Sequence, residues 1–82
     1  MKEKIEVFYT GGGIWLAEMN LGDNNYAIVN SEAPEYFAIY EYEQAEDGRY
    51  YPEDMILDQH KDELSEEYKK VYEKLLIALA KR

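Results

Sequence analysis

His60 is the only imidazole in this chain, and it stands between Asp58 and Asp62. Such a residue can act as a general base or a cation ligand, so its partners decide its chemistry. A base needs a nucleophile. The only serines are Ser31 and Ser65, and Ser65 is better explained as a helix cap. Zinc needs thiolates or further imidazoles, and the chain has no cysteine. His60 therefore reads as an exposed loop residue.

The carboxylates offer the next chemistry. Strand geometry places Glu41 and Glu43 about 6–7 Å apart on the face opposite Tyr36, Tyr40 and Tyr42. Glycosidic acid–base work also needs a substrate cleft of several hundred cubic ångströms between the two carboxylates, which a two-layer domain of this size rarely provides. Glu53, Asp54 and Asp58 share a face if 52–59 is helical, which makes a weak divalent-cation site or, more simply, a solvated surface. Asp23-Asn24-Asn25 and Asp47-Gly48 lack the spaced acids of a calcium loop. Gly11-Gly12-Gly13 lacks the lysine and the following helix of a phosphate cradle, so it reads as a hairpin turn. Lys61-Asp62-Glu63-Leu64 spells an endoplasmic-reticulum retention signal, but in an internal position where it is not read. The expectation is a protein that is not an enzyme, with no catalytic residue, no metal and no cofactor.

The elements that position these groups are bounded by length. Eighty-two residues make a single domain, 1–82. At 46% hydrophobic and 33% charged, the composition is that of a globular chain. No apolar run reaches the roughly 18–20 residues of a membrane span, and the opening Met1-Lys2-Glu3-Lys4 has no apolar leader. Without cysteine, a cytoplasmic location is expected. No internal repeat appears.

Residues 1–43 read as a meander of about four strands. Ile5, Val7 and Tyr9 alternate with Lys4, Glu6 and Phe8, the period of a half-buried strand. Ile14–Met19 follows the glycines, and Tyr26–Asn30 follows the turn at Gly22–Asn25. Ser31–Pro34 then interrupts, and Tyr36–Glu43 is rich in residues that fit a pleated surface. Residues 44–63 form an acidic loop in which Pro52-Glu53-Asp54 has the signature of a first helical turn. A short helix near 52–59 or a fifth strand through Met55-Ile56-Leu57 are both open. Residues 65–82 are an amphipathic helix: Ser65 caps it, and Tyr68, Val71, Tyr72, Leu75 and Leu79 fall on one face. The fold class is therefore α+β, an antiparallel sheet packed in two layers on one C-terminal helix.

One helix covers one side of a sheet, and a clean alternation would leave the other side polar. These strands do not comply. Ile14 and Leu16 oppose Trp15, Ala17 and Met19, while Phe37 and Ile39 oppose Tyr36, Ala38, Tyr40 and Tyr42. Rings must remain on whichever side the helix leaves open, unless residues 44–63 fold back across it.

The charge is concentrated as well. Of a net −9, residues 1–30 contribute −2, residues 31–63 contribute −9 and residues 64–82 contribute +2. Direct binding of DNA or RNA is disfavoured, because it needs basic side chains against phosphate, and anionic membrane is disfavoured for the same reason. The sequence thus points to a small interaction module that docks on a basic protein surface. Trp15, Tyr36, Tyr40 and Tyr42 would be the anchors, with Glu41, Glu43, Glu46, Asp47, Glu53 and Asp54 steering the encounter. The alternatives are a nucleic-acid-mimicking inhibitor of a nucleic-acid enzyme, of the kind carried by phages and mobile elements, a self-associating structural protein in which two sheets pair, and a weak cation-binding domain.

Overall fold

The computed structural model describes residues 4–82. Met1–Glu3, and with them most of the polar opening segment, lie outside the described residues. Five strands follow one another, β1 (Ile5–Gly11), β2 (Ile14–Gly22), β3 (Asn25–Asn30), β4 (Tyr36–Gln44) and β5 (Tyr50–His60), and the chain ends in a helix, α1 (Glu66–Ala80). The sheet order is β1-β2-β3-β4-β5, with every neighbour antiparallel. The α+β meander packed on a C-terminal helix is thus the architecture, with five strands where the sequence predicts about four.

Tight turns fix the register. At the β2–β3 hairpin, Asp23 and Asn24 both take positive φ, 54° and 64°, in the two-residue turn whose twist matches that of the strands it joins. Gly22, at φ 97°, takes up the register shift beside that turn, a backbone state that costs a side chain and that glycine enters freely. The longer β3–β4 link is held from both sides. The Trp15 backbone N–H donates to Ser31 Oγ at 2.9 Å, and the Tyr72 hydroxyl of the helix donates to the Pro34 carbonyl at 2.6 Å.

The helix begins as its sequence predicts. Ser65 Oγ accepts from the Tyr68 N–H at 3.3 Å, satisfying one of the donors left open in a first turn. Tyr72, Leu75 and Leu79 are buried against Ala17, Met19, Ala27, Val29, Phe37 and Ile39, with Tyr68 and Val71 half-buried beside them. The core is this one layer between helix and sheet. No helix among the described residues is long and apolar enough to cross a membrane.

Residues 50–60 correct the helical expectation for 52–59. They form a long edge strand on β4, and Pro52 is tolerated there because an edge strand has an unpaired side that needs no N–H donor. The pairing runs Ile39 with Leu57, then Tyr40 with Met55, and Glu41 with Asp54, then Tyr42 with Pro52. Ile56 and Glu53 are therefore bulged residues. Glu53, Asp54 and Asp58 consequently share no helical face. His60, expected in a loop, ends β5 and caps a short 3₁₀ turn at 61–63: its Nδ1 accepts from the Asp62 N–H at 3.2 Å, and its own N–H donates to Glu63 Oε1 at 3.1 Å.

Candidate functional site

The helix takes the side of the sheet that carries Ala17, Met19, Phe37 and Ile39. Side chains alternate along a strand, so Leu16 of β2, Ile28 of β3 and Ala38 of β4 point the other way, together with Tyr36, Tyr40 and Tyr42. Among the described residues no element covers them, because β5 continues the sheet sideways and does not cross its face.

These residues form a groove of about 410 Å³ lined by Leu16, Ile28, Asn30, Ala33, Tyr36, Ala38, Tyr40, Tyr42, Pro52 and Asp58. Its apolar members come from β2, β3, β4 and β5 and from Ala33 in the β3–β4 link, and the three tyrosines of β4 run along it. Phe8 of β1 is paired with Leu16 and extends the apolar strip to the far edge, 38% exposed. The tyrosines are braced from the side by rings on the neighbouring strands. Tyr26 packs on Tyr42 with ring centroids 4.7 Å apart, and Tyr36 meets the His60 ring edge-on at 5.5 Å. Tyr36 keeps about half of its surface exposed, at 49%.

Acidic groups stand on this face. Asp58 lies directly opposite Ala38 in the register. Glu18 accepts from the Tyr42 hydroxyl at 3.1 Å. Burial pushes the Glu18 carboxyl above its ordinary 4.5, the Tyr42 hydrogen bond works against that shift, and Glu6 adds to it. The Tyr42 phenol is pushed up to about 12 by its own burial and then by the Glu18 charge.

The comparison with known proteins is brief. No family model, curated protein or solved structure matches this chain. The site is therefore defined by its own geometry.

That geometry sorts the residues singled out from the sequence. Tyr36, Tyr40 and Tyr42 are brought together in the groove. Trp15 is not with them: it shares the helix side with Ala17, stacks at a tilt on Tyr9 at 5.0 Å, and lies under the Arg82 guanidinium at 5.8 Å. Glu41, Glu43 and Glu53 line a second hollow of about 260 Å³ with Asn24, Gln44 and Tyr42. Glu41 and Glu43 share the parity of Phe37 and Ile39 and so point to the other side of β4 from the tyrosines; the acidic hollow meets the aromatic groove only at the end of the sheet, where Tyr42 lines both. Asp54 pairs with Glu41 across β4 and β5. Glu46 and Asp47 sit in the β4–β5 turn, where Asp47 accepts from the Arg49 N–H at 3.0 Å and faces the Arg49 side chain at 3.4 Å. No cluster among the described residues has the histidine and carboxylate arrangement to hold a metal ion.

Sequence reasoning missed Leu16, Ile28, Asp58 and Glu18 as site residues. The parity of β2 and β4 contained the signal for Leu16. Asp58 became legible only once β5 was known to be a strand.

Proposed function

We propose that this protein is a non-enzymatic interaction module that docks on a basic protein surface through the uncovered face of its sheet. The observation that carries this reading is the course of residues 50–60, which extend the sheet and leave Tyr36, Tyr40 and Tyr42 open beside an acidic end. Tyrosine combines contact area with a polar tip and is enriched where proteins meet. The surrounding carboxylates would speed and orient the encounter with a basic partner.

Nucleic-acid mimicry is the second reading, and the contact of Glu43 with Glu53 favours it. Two carboxylates held together raise the Glu53 pKa, an arrangement that stability alone does not select. Face-to-face self-association fits less well, because two copies that each carry a net charge of −9 repel one another.

The test is retention of partners from a lysate of the native host by the immobilised protein, compared with a Tyr36→Ala/Tyr40→Ala variant of equal melting temperature. The docking reading expects a partner that the wild type retains, that the variant loses and that salt releases. Displacement of that partner by added DNA or RNA selects mimicry. Identical retention by both proteins removes the face from the interaction. A dimer in sedimentation that a Tyr40→Asp substitution dissolves assigns the face to self-pairing instead.

A further inference from the structure

We infer that the groove on the uncovered face is a receptor for an arginine side chain of the partner, forked onto Asp58 and laid over the rings of β4. This rests on the docking reading above and names the chemistry of its central contact.

The argument begins with what lines the groove. Leu16, Ile28 and Ala38 supply apolar surface, and Tyr36, Tyr40, Tyr42 and Pro52 supply flat or rigid walls. Among the ten lining residues the only charged one is Asp58, and its carboxylate makes no hydrogen bond or ion pair with another described residue. It stands opposite Ala38, the smallest side chain of β4, which leaves room beside the carboxylate between the tyrosines at 36 and 40. A volume of about 410 Å³ is at the lower end for ligand sites, roughly 300–1,000 Å³. That suits one long side chain and its neighbours better than a bulky cofactor.

Three kinds of occupant are chemically distinguishable. A purely apolar side chain would use the walls but leave Asp58 desolvated without a partner, which is unfavourable. Lysine would satisfy the charge, but its compact ammonium is strongly hydrated and loses that water on entering an aromatic groove. Guanidinium is planar, weakly hydrated and able to stack on a ring while making two parallel hydrogen bonds to a carboxylate. The Asn30 side chain already accepts from the Glu32 N–H through its Oδ1 at 2.8 Å, so Asp58 is the acceptor that remains for the fork. The net charge of −9 favours a cation in the groove over any anion.

The experiment uses two synthetic peptides of equal length and charge, one of four Gly-Arg repeats and one of four Gly-Lys repeats. Both are titrated at low salt into the intact protein and followed by amide NMR. Expected is binding of the arginine peptide about fivefold tighter than the lysine peptide, with the largest shifts at Leu16, Ile28 and Ala38. Asp58→Asn, an exposed position, should bring the arginine peptide to the affinity of the lysine peptide while the melting temperature stays unchanged. A Glu43→Gln/Glu53→Gln variant should weaken both peptides alike. Equal affinities of the two peptides for the wild type, or shifts confined to residues 41–54, overturn the arginine receptor and leave docking on a basic surface standing. Absence of binding by either peptide overturns both. The comparison of peptides on the wild type needs no variant, so a misfolded substitution cannot obscure the result.

Discussion

The hydroxyl of Tyr42 on β4 donates to Glu18 Oε2 on β2 at 3.1 Å, passing over β3 between them. Three strands of the open face are thereby tied by one hydrogen bond between side chains. Its acceptor is a carboxylate that burial holds above the ordinary 4.5, so the bond offsets part of a desolvation cost. Tyr42→Phe keeps the ring on Tyr26 but removes the donor, leaving Glu18 more poorly solvated than before. The expected loss is about 1 kcal/mol at neutral pH, measurable by urea unfolding.

Glu18→Gln should act in the opposite direction. A carboxyl whose folded pKa is raised binds its proton more tightly folded than unfolded, so stability rises as pH falls through the folded value. The charge therefore costs stability at neutral pH and nothing below the unfolded value of 4.5. Glutamine retains an acceptor for Tyr42 without the charge. The variant should be the more stable protein at pH 7, by roughly a few tenths of a kcal/mol because solvent screens a half-open site. That advantage should vanish as both proteins are brought to acid. An advantage that is independent of pH would mean the carboxylate is not strained.

Tyr42 itself gives an alkaline counterpart. Its phenol ionises at about 12 in the folded protein against 10.0 in the unfolded chain. The neutral hydroxyl thus contributes stability that is fully present below pH 10 and is lost as pH rises towards 12. The stability gap between wild type and Tyr42→Phe should be constant through the neutral range and close in the alkaline one. Absorbance titration of the phenolates should show one late-ionising tyrosine that the variant lacks.

These contacts show what could be read in the sequence and what could not. The parity of β4, Phe37 and Ile39 against Tyr36, Tyr40 and Tyr42, is explicit in the order of residues, because strand side chains alternate without exception between bulges. Which side takes the helix is set by tertiary packing, and Trp15 and the tyrosines were accordingly grouped together although they face opposite ways. The helix was legible through Ser65 and its apolar stripe. β5 was not. Its two bulged residues, Glu53 and Ile56, break the period-two pattern, and Pro52-Glu53-Asp54 imitates the opening of a helix. Pairing with β4 overrides that local signature, as tertiary context commonly does. Glu18 escaped notice because its partner lies 24 positions away.

The single-layer core makes a further expectation quantitative. Leu75 is fully buried at 0% exposure on the helix face, among side chains from the sheet. Leu75→Ala should cost about 2–4 kcal/mol through lost burial and the cavity left behind. Total stability for so small a domain is only some 5–8 kcal/mol, so a large drop in the urea midpoint follows. Ile77→Ala, at a position 53% exposed on the same helix, should cost much less.

The last expectation concerns Glu53 and separates stability from function. Its carboxyl is held above the usual range first by the charge of Glu43, then by the hydrogen bond between the two groups. Two neighbouring carboxylates on a bulge repel when both are ionised, so Glu53→Gln should raise the melting temperature at neutral pH and low salt. Salt should erase the gain by screening. So should acid: because the folded pKa is raised, protonation of Glu53 below its ordinary value relieves the same repulsion in the wild type. Removing one acid from the edge of the open face should at the same time weaken capture of a basic partner and flatten its salt dependence. A stabilising substitution that impairs binding is the pattern expected where like charges are held together for recognition. If Glu53→Gln raises the melting temperature and leaves affinity untouched, the acidic end serves solubility, and docking rests on the aromatic groove alone.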